Sequence, residues 1–229
     1  MIFPFILRNR INYNFEVKTV AIVPIKLNNE RLPGKNTKLL GDIPLIQHIL
    51  NTLLQVNEID EIYVYCSDET IEEYFPEGIK FLKRDTVLDL PTSNFNQIFD
   101  SFISKIDSDI YVYAHATAPF IEIETIQDCI YKIKSGEYDS AFTASKIQDY
   151  LWIDNKPMNF DATNLPRSQD LAPIYRETSG IYVFTKNQYL QTNRRIGNKP
   201  YIKEVSYKEA IDINTAEDFE LAQIITKNT

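Results

Sequence analysis

The sequence predicts an α/β fold in which a mostly parallel sheet carries helices on both faces. Three observations predict it. Runs rich in β-branched and aromatic residues alternate with runs whose apolar residues recur at helical spacing. The first strand-like run, residues 20–25, stops abruptly at a long polar loop bearing Lys26, Arg31 and Lys35, and open α/β sheets bind ligands just beyond the carboxyl ends of their strands. The length of 229 residues, 44% hydrophobic and 24% charged, suits one large core. The expectation is a single domain over 18–229 after an N-terminal arm, 1–17, with one excursion at 146–178.

After the loop, a Gly41-Asp42 turn leads into Leu45, Ile46, Ile49, Leu50, Leu53 and Leu54, one buried helical stripe. EIYVYCSD is a β-rich run ending at Ser67 and Asp68, followed by a short acidic helix and the strand-like GIKFLKR. Residues 92–105 place Phe95, Ile98, Phe99, Phe102 and Ile103 on one side of a helix, and DIYVYA is a strand ending in HATAPFI. The pattern repeats with a helix over 122–134 and a strand over 139–144. Between 146 and 178 the rhythm fails. Trp152, a turn-like DNKP and NLPRSQDLAPIYRET make a stretch longer than ordinary connections, which reads as a lid or subunit-contact excursion. SGIYVFT returns to the sheet and KPYIKEVS adds a strand. A polar corner then leads to a final helix with Thr215 as N-cap and Asp218 in its first turn.

Composition excludes several classes. A net charge of −8 and a pI near 4.9 argue against general nucleic-acid binding, which needs a basic excess. A basic loop within an acidic chain points instead to a small polyanion. Cys66 and Cys129 lie in no CxxC or His-rich cluster, so no disulfide framework or structural zinc site is expected, and the compartment is expected to be reducing and cytoplasmic. MIFPFILRNR carries its charges after its apolar run and has no small-residue cleavage site, so it reads as a frayed or partner-contacting arm. No run approaches the ~18 apolar residues of a membrane-spanning helix.

Lys26, Arg31, Lys35 and Lys38 fall within thirteen residues alongside Asn28, Asn29 and Asn36. A triphosphate needs several positive charges and donors converging on its oxygens; the alternative is a solvated surface loop. Neither GxGxxG nor GxxxxGK[ST] occurs, so dinucleotide-binding and P-loop chemistry are not supported. PIKLNNERLPGKN resembles the first motif of the CMP–sugar-acid synthetases, the acylneuraminate cytidylyltransferases and their Kdo-activating relatives, Ala-Arg-x-x-Ser-Lys-x-Leu-Pro-x-Lys-Asn. Lys26 stands at the arginine and Pro33, Lys35 and Asn36 match directly, while Asn29 and Glu30 depart from the Ser-Lys pair. YCSD is similar to the family's second-strand ending, FLKRDTVLDLPT to its Arg-x-x-x-Leu segment, and HATAP to its Gln-Pro-Thr-Ser-Pro. NLPRSQDLAPIYRETSGIYVF resembles its Pro-Arg-x-Gln-x-Leu-Pro segment with the following strand, and EAIDINTAEDF its Ile-Asp-Ile-Asp-x-x-x-Asp. Six ordered motifs over about residues 18–225 are far more specific than any one.

The resemblance implies a Rossmann-like, GT-A-like nucleotidyltransferase sandwich, CTP as nucleotide, Mg²⁺ as cofactor, and a homodimer whose excursion reaches the partner's site. It implies that Lys26, Lys35 and Asn36 hold the nucleotide together with Ser67 and Arg84, and that Lys26, Lys35 and Asp212 are the catalytic charges. Asp212 and Asn214 are the implied metal ligands, Asn214 standing where the family has a second aspartate and so lowering the site's negative charge. His115, at the family's Gln, and Thr117 are assigned to the acceptor with Arg167, Gln169 and Glu177. Simpler readings stand beside these. Ser67 and Asp68 form a helix cap, Arg84 makes a surface salt bridge, Arg167 pairs with Asp170 or Glu177, and DIN is a capping turn. His115 has three open roles: donor to a phosphate, donor to an acceptor carboxylate, or base.

The implied reaction is attack of a sugar-acid hydroxyl, of the sialic, legionaminic or pseudaminic type, on the α-phosphate of CTP, giving a CMP-sugar and pyrophosphate. The protein's task is positioning and charge neutralisation. The alternatives are a nucleotidyltransferase for Kdo or a phosphorylated acceptor, and a non-catalytic nucleotide-binding relative. A small anionic acceptor is the expected partner of CTP; nucleic acid and membrane are not.

Overall fold

A computed structural model of the chain describes residues 17–227, so the expected arm lies outside them apart from Val17. Seven strands form one sheet: β1 (Thr19–Pro24), β2 (Glu61–Cys66), β3 (Lys80–Lys83), β4 (Ile110–Ala114), β5 (Ser140–Ile147), β6 (Ile174–Thr185) and β7 (Pro200–Glu204). Their order is β7-β5-β6-β4-β1-β2-β3. All run parallel except β6, which is antiparallel to both β4 and β5. β1 and β4 are near-continuous apolar runs because both sheet faces above them are covered.

Helices α1 (Leu45–Leu54) and α3 (Ile123–Lys134) cover one face, and α2 (Phe95–Ile103) and α4 (Lys186–Thr192) the other. The predicted stripe of α1 is buried at Leu45, Ile46, Ile49, Leu50 and Leu53, while Leu54 faces solvent. α2 starts at a capping box of Asn94 and Gln97, which satisfies two orphan N–H groups. It packs Phe99 edge-on against Tyr189 and Tyr111, with ring centroids 4.6 and 5.0 Å apart. The final helix α5 (Ala216–Lys227) buries Phe219 and Ala222 beside Leu40, Leu45 and Ile213.

Three elements differ from the sequence expectation. The short acidic helix is a 3₁₀ turn, Glu69–Tyr74. The strand expected from residue 179 already begins at Ile174, and Ile174 pairs with Ile147, so an antiparallel ladder joins the ends of the excursion and leaves 148–173 outside the sheet. Periodicity missed this because Tyr175, Arg176 and Glu177 are exposed and polar on an otherwise buried strand. The turn-like reading of DNKP holds at Asp154-Asn155, but the strands on either side, Trp152–Ile153 and Lys156–Pro157, form a hairpin that the sequence reading does not anticipate. Asp154 and Asn155 take φ of 48° and 60°, as a two-residue turn with φ positive at both positions requires.

The feature of the fold that matters most for the site is a bulge in β6. Glu177 pairs with Ala144 and Tyr182 with Phe142, so residues 178–181 oppose Thr143 alone. Thr143 Oγ1 accepts from the Ile181 N–H at 3.1 Å and lies 2.8 Å from Thr178 Oγ1. Ser179 is forced to φ 59°, a strained conformation for a non-glycine residue. Gly180 allows close approach, since a Cβ there would sit 2.8 Å from Ile121 Cδ1.

Candidate active site

The loop after β1 folds back over the strand end. Asn36 is buried and its Nδ2 donates to the Lys26 carbonyl at 3.1 Å. Lys35 is buried and its Nζ donates to the Ile213 carbonyl at 2.9 Å. Burial holds the Lys35 pKa below the usual lysine value, opposed by the nearby Asp212 carboxylate. Lys26, Arg31 and Lys35 line one cleft of about 250 Å³ with Asn29, Glu30 and Asn214. Three cations against one acid make it a receptor for an anion. Lys38, the fourth cation of the loop, faces a different cleft beside Phe219.

The acidic corner before α5 is docked onto the loop after β4, where the Ile213 N–H donates to the Thr117 carbonyl at 2.8 Å. Thr117 therefore positions the corner through its backbone. A buried Glu209 anchors the same corner to the start of α3, accepting from Thr125 Oγ1 at 2.7 Å and from the Glu122 N–H at 3.2 Å. Asp218 Oδ2 accepts from the N–H groups of Asn214 and Thr215, each at 2.8 Å, so the capping turn read from DIN exists and coexists with the site. Asp212 Oδ1 is buried without a partner. Asn214 lines both the basic cleft and a second cleft of about 380 Å³, which Glu177, Ser179, Tyr207 and Asp212 also line.

His115 stands at the end of β4, its N–H donating to the Gly180 carbonyl in the bulge at 3.1 Å. Its Nε2 is buried and unpartnered. Burial pushes its pKa down to about 4, helped by Arg195 and Lys35 and opposed by Asp212 and Glu177. The ring is neutral at physiological pH. Glu177 accepts from Arg195 Nη2 at 3.0 Å and from the Tyr182 hydroxyl, while the Arg195 guanidinium lies 3.8 Å from the Tyr182 ring centroid.

Ser67 and Arg84 share one carboxylate. Both bond to Asp89, and Arg84 Nη2 also donates to the Ile25 carbonyl at 2.8 Å, just past β1. Arg84 is buried, so its ion pair is an internal brace for the strand end rather than a surface bridge. The helix cap at this point belongs to Asp68, which accepts from the Thr70 N–H at 3.0 Å. Arg167 is exposed and paired with Asp170 at 2.7 and 3.0 Å, and the Gln169 carbonyl accepts from Gln148. Neither Arg167 nor Gln169 lines either cleft.

Sequence reasoning missed Arg195, Tyr182, Asp89 and Glu209. The Arg194-Arg195 doublet was a visible signal, but only the fold brings it 18 positions back to Glu177.

Comparisons with known proteins agree with this architecture. A family model described as Cytidylyltransferase matches residues 20–228. CMP-N,N'-diacetyllegionaminic acid synthase of Legionella pneumophila is 25% identical, covering 90% of this chain and 95% of its own length. Pseudaminic acid cytidylyltransferase of Campylobacter jejuni is 24% identical over 92% of this chain and 97% of its own. A solved CMP:2-keto-3-deoxy-manno-octonic acid synthetase complexed with CTP superposes with a TM-score of 0.69 at 18% identity, covering 92% of this chain and 99% of that one, which establishes the shared fold. With the family model spanning nearly all of the described residues, this chain belongs to the cytidylyltransferase family.

Proposed function

We propose that the chain transfers CMP from CTP to a sugar acid of the nonulosonic type, with release of pyrophosphate. The observation that carries the reading is the pairing of a cationic cleft with a second, carboxylate-bearing cleft across the shared wall of Asn214. Relatives named for legionaminic and pseudaminic acids support the acceptor class. The acceptor hydroxyl oxygen bonds to the α-phosphorus, the bond from that phosphorus to the β-bridging oxygen breaks, and the hydroxyl proton is lost to solvent or a nearby group.

Lys26, Arg31 and Lys35 hold the phosphates and offset charge gathering on the leaving pyrophosphate. Asn36, Ser67 and Arg84 act beneath them, fixing the loop and strand end on which the nucleotide rests. Glu177, paired with Arg195, lines the acceptor cleft, while His115, whose Nε2 is buried, lies outside that lining and braces the bulge through its backbone bond to Gly180. Mg²⁺ supplies further charge neutralisation when bound. Asp212 suits it, because Oδ1 is buried without a partner. Among the described residues no group of three or more Asp, Glu, His or Cys side chains is assembled, and Mg²⁺ is usually held by one or two carboxylates plus phosphate oxygens and water.

The reading includes a homodimer working in the cytoplasm, with Arg167 and Gln169 of the excursion serving the partner's acceptor cleft. Trp152 and Ile153 at 59% and Leu165 at 61% exposure support it; light scattering at micromolar concentration is expected to find a dimer that Trp152→Glu dissociates, and a wild-type monomer would count against it. No helix among the described residues is long and apolar enough to cross a membrane. The function is tested by incubating the protein with CTP, Mg²⁺ and a panel of nonulosonic acids, Kdo and phosphorylated alcohols. Pyrophosphate release with the nonulosonic acids is expected; release only with the phosphorylated set overturns the reading.

A further inference from the structure

One hydrogen-bond chain joins the basic cleft to the acidic corner. Arg31 Nη2 donates to Asn214 Oδ1 at 2.7 Å, and Asn214 Nδ2 donates to Asp212 Oδ2 at 2.6 Å. An amide does both at once because it carries an acceptor oxygen and a donor nitrogen on one carbon. A carboxylate here would face Asp212 oxygen to oxygen, two like charges that cannot share that distance. The Asn214 backbone is pinned by Asp218, so the amide is held in place between its partners. Asn214 Oδ1, the atom with which an amide binds a hard cation, is occupied by the guanidinium. Asp212 Oδ1 remains without a partner.

We propose that Asn214 is a positioning residue and not a metal ligand: it holds the Arg31 guanidinium off the triphosphate and steadies Asp212, and the arriving triphosphate draws Arg31 away. The proposal rests on the basic cleft being the triphosphate site. Its consequence runs against the usual sign for a polar residue in a binding site, because deleting Asn214 frees a cation for the nucleotide.

The experiment is calorimetric titration of CTP into protein in EDTA, with no acceptor present, together with Mn²⁺ binding to nucleotide-free protein followed by electron paramagnetic resonance. Asn214→Ala is expected to tighten metal-free CTP binding about three- to tenfold, the net worth of one solvent-accessible hydrogen bond no longer broken. Mn²⁺ affinity stays within about twofold, since the atom lost is not a ligand. The double variant Arg31→Ala/Asn214→Ala shows no gain in CTP affinity over Arg31→Ala alone. Should the alanine variant fail to fold, Asn214→Ser serves, because a hydroxyl cannot span both partners. Unchanged or weaker CTP binding, or lost Mn²⁺ affinity, overturns the proposal. A wild-type protein that binds no CTP would instead remove the triphosphate-site reading beneath it.

Discussion

His115 offers a prediction whose size follows from its surroundings. Its Nε2 is sealed from solvent, and burial, aided by the charges of Arg195 and Lys35 and opposed by those of Asp212 and Glu177, brings the pKa down to about 4 in the folded protein, against ~6.5 unfolded. Between those values the unfolded chain binds the proton and the folded one does not, so stability is lost as pH falls. Proton linkage gives a loss of about 2 kcal/mol between about pH 7 and about pH 5. His48, whose pKa burial also lowers, adds to the same slope, so the wild-type curve alone is not diagnostic. His115→Gln keeps a polar side chain of similar size and removes the titration. Urea unfolding across this window should show a slope shallower by about 2 kcal/mol in the variant. Coincident slopes would mean that His115 is hydrated in the folded protein, and the buried placement of its ring nitrogen would fall with it.

Other changes test the loop, the corner and the bulge. Glu30 is exposed on the rim of the basic cleft, so Glu30→Lys should raise CTP affinity about two- to fivefold at low salt and less at high salt; no gain by calorimetry would show that the side chain faces away. Lys35→Met leaves the buried Ile213 carbonyl unpaired and removes a phosphate cation, for a loss of about tenfold or more in CTP affinity. Gly180→Ala places a methyl 2.8 Å from Ile121 Cδ1, and urea unfolding should report a loss of about 1–3 kcal/mol.

Strands, helices and the basic loop were legible because each carries its own periodicity or charge. The cores of β1 and β4 and the stripe of α1 declared themselves in single runs of residues. The antiparallel start of β6 did not, since exposed polar residues break its apolar pattern. The site was legible where one motif held both partners, as with Lys26 and Asn36. It was opaque where partners meet only through the fold. Asp89 gathers Ser67 and Arg84 from 22 and 5 positions away, and Arg31 reaches across 183 positions to Asn214. Composition gives no hint of such pairings, and the direct braces made by Arg84 and Lys35 explain why a residue that looks like a ligand in sequence is also part of the frame.

The central claim, transfer of CMP onto the oxygen of a sugar acid, is tested most directly by isotope tracing. A nonulosonic acid labelled with ¹⁸O at its anomeric hydroxyl is incubated with CTP and Mg²⁺, and the nucleotide product is read by mass spectrometry and phosphorus NMR. The account predicts a CMP-sugar that keeps the label in the bridge to phosphorus, with one pyrophosphate per product. Label absent from the bridge, or no CMP-sugar from any sugar acid while a phosphorylated acceptor reacts, would contradict it.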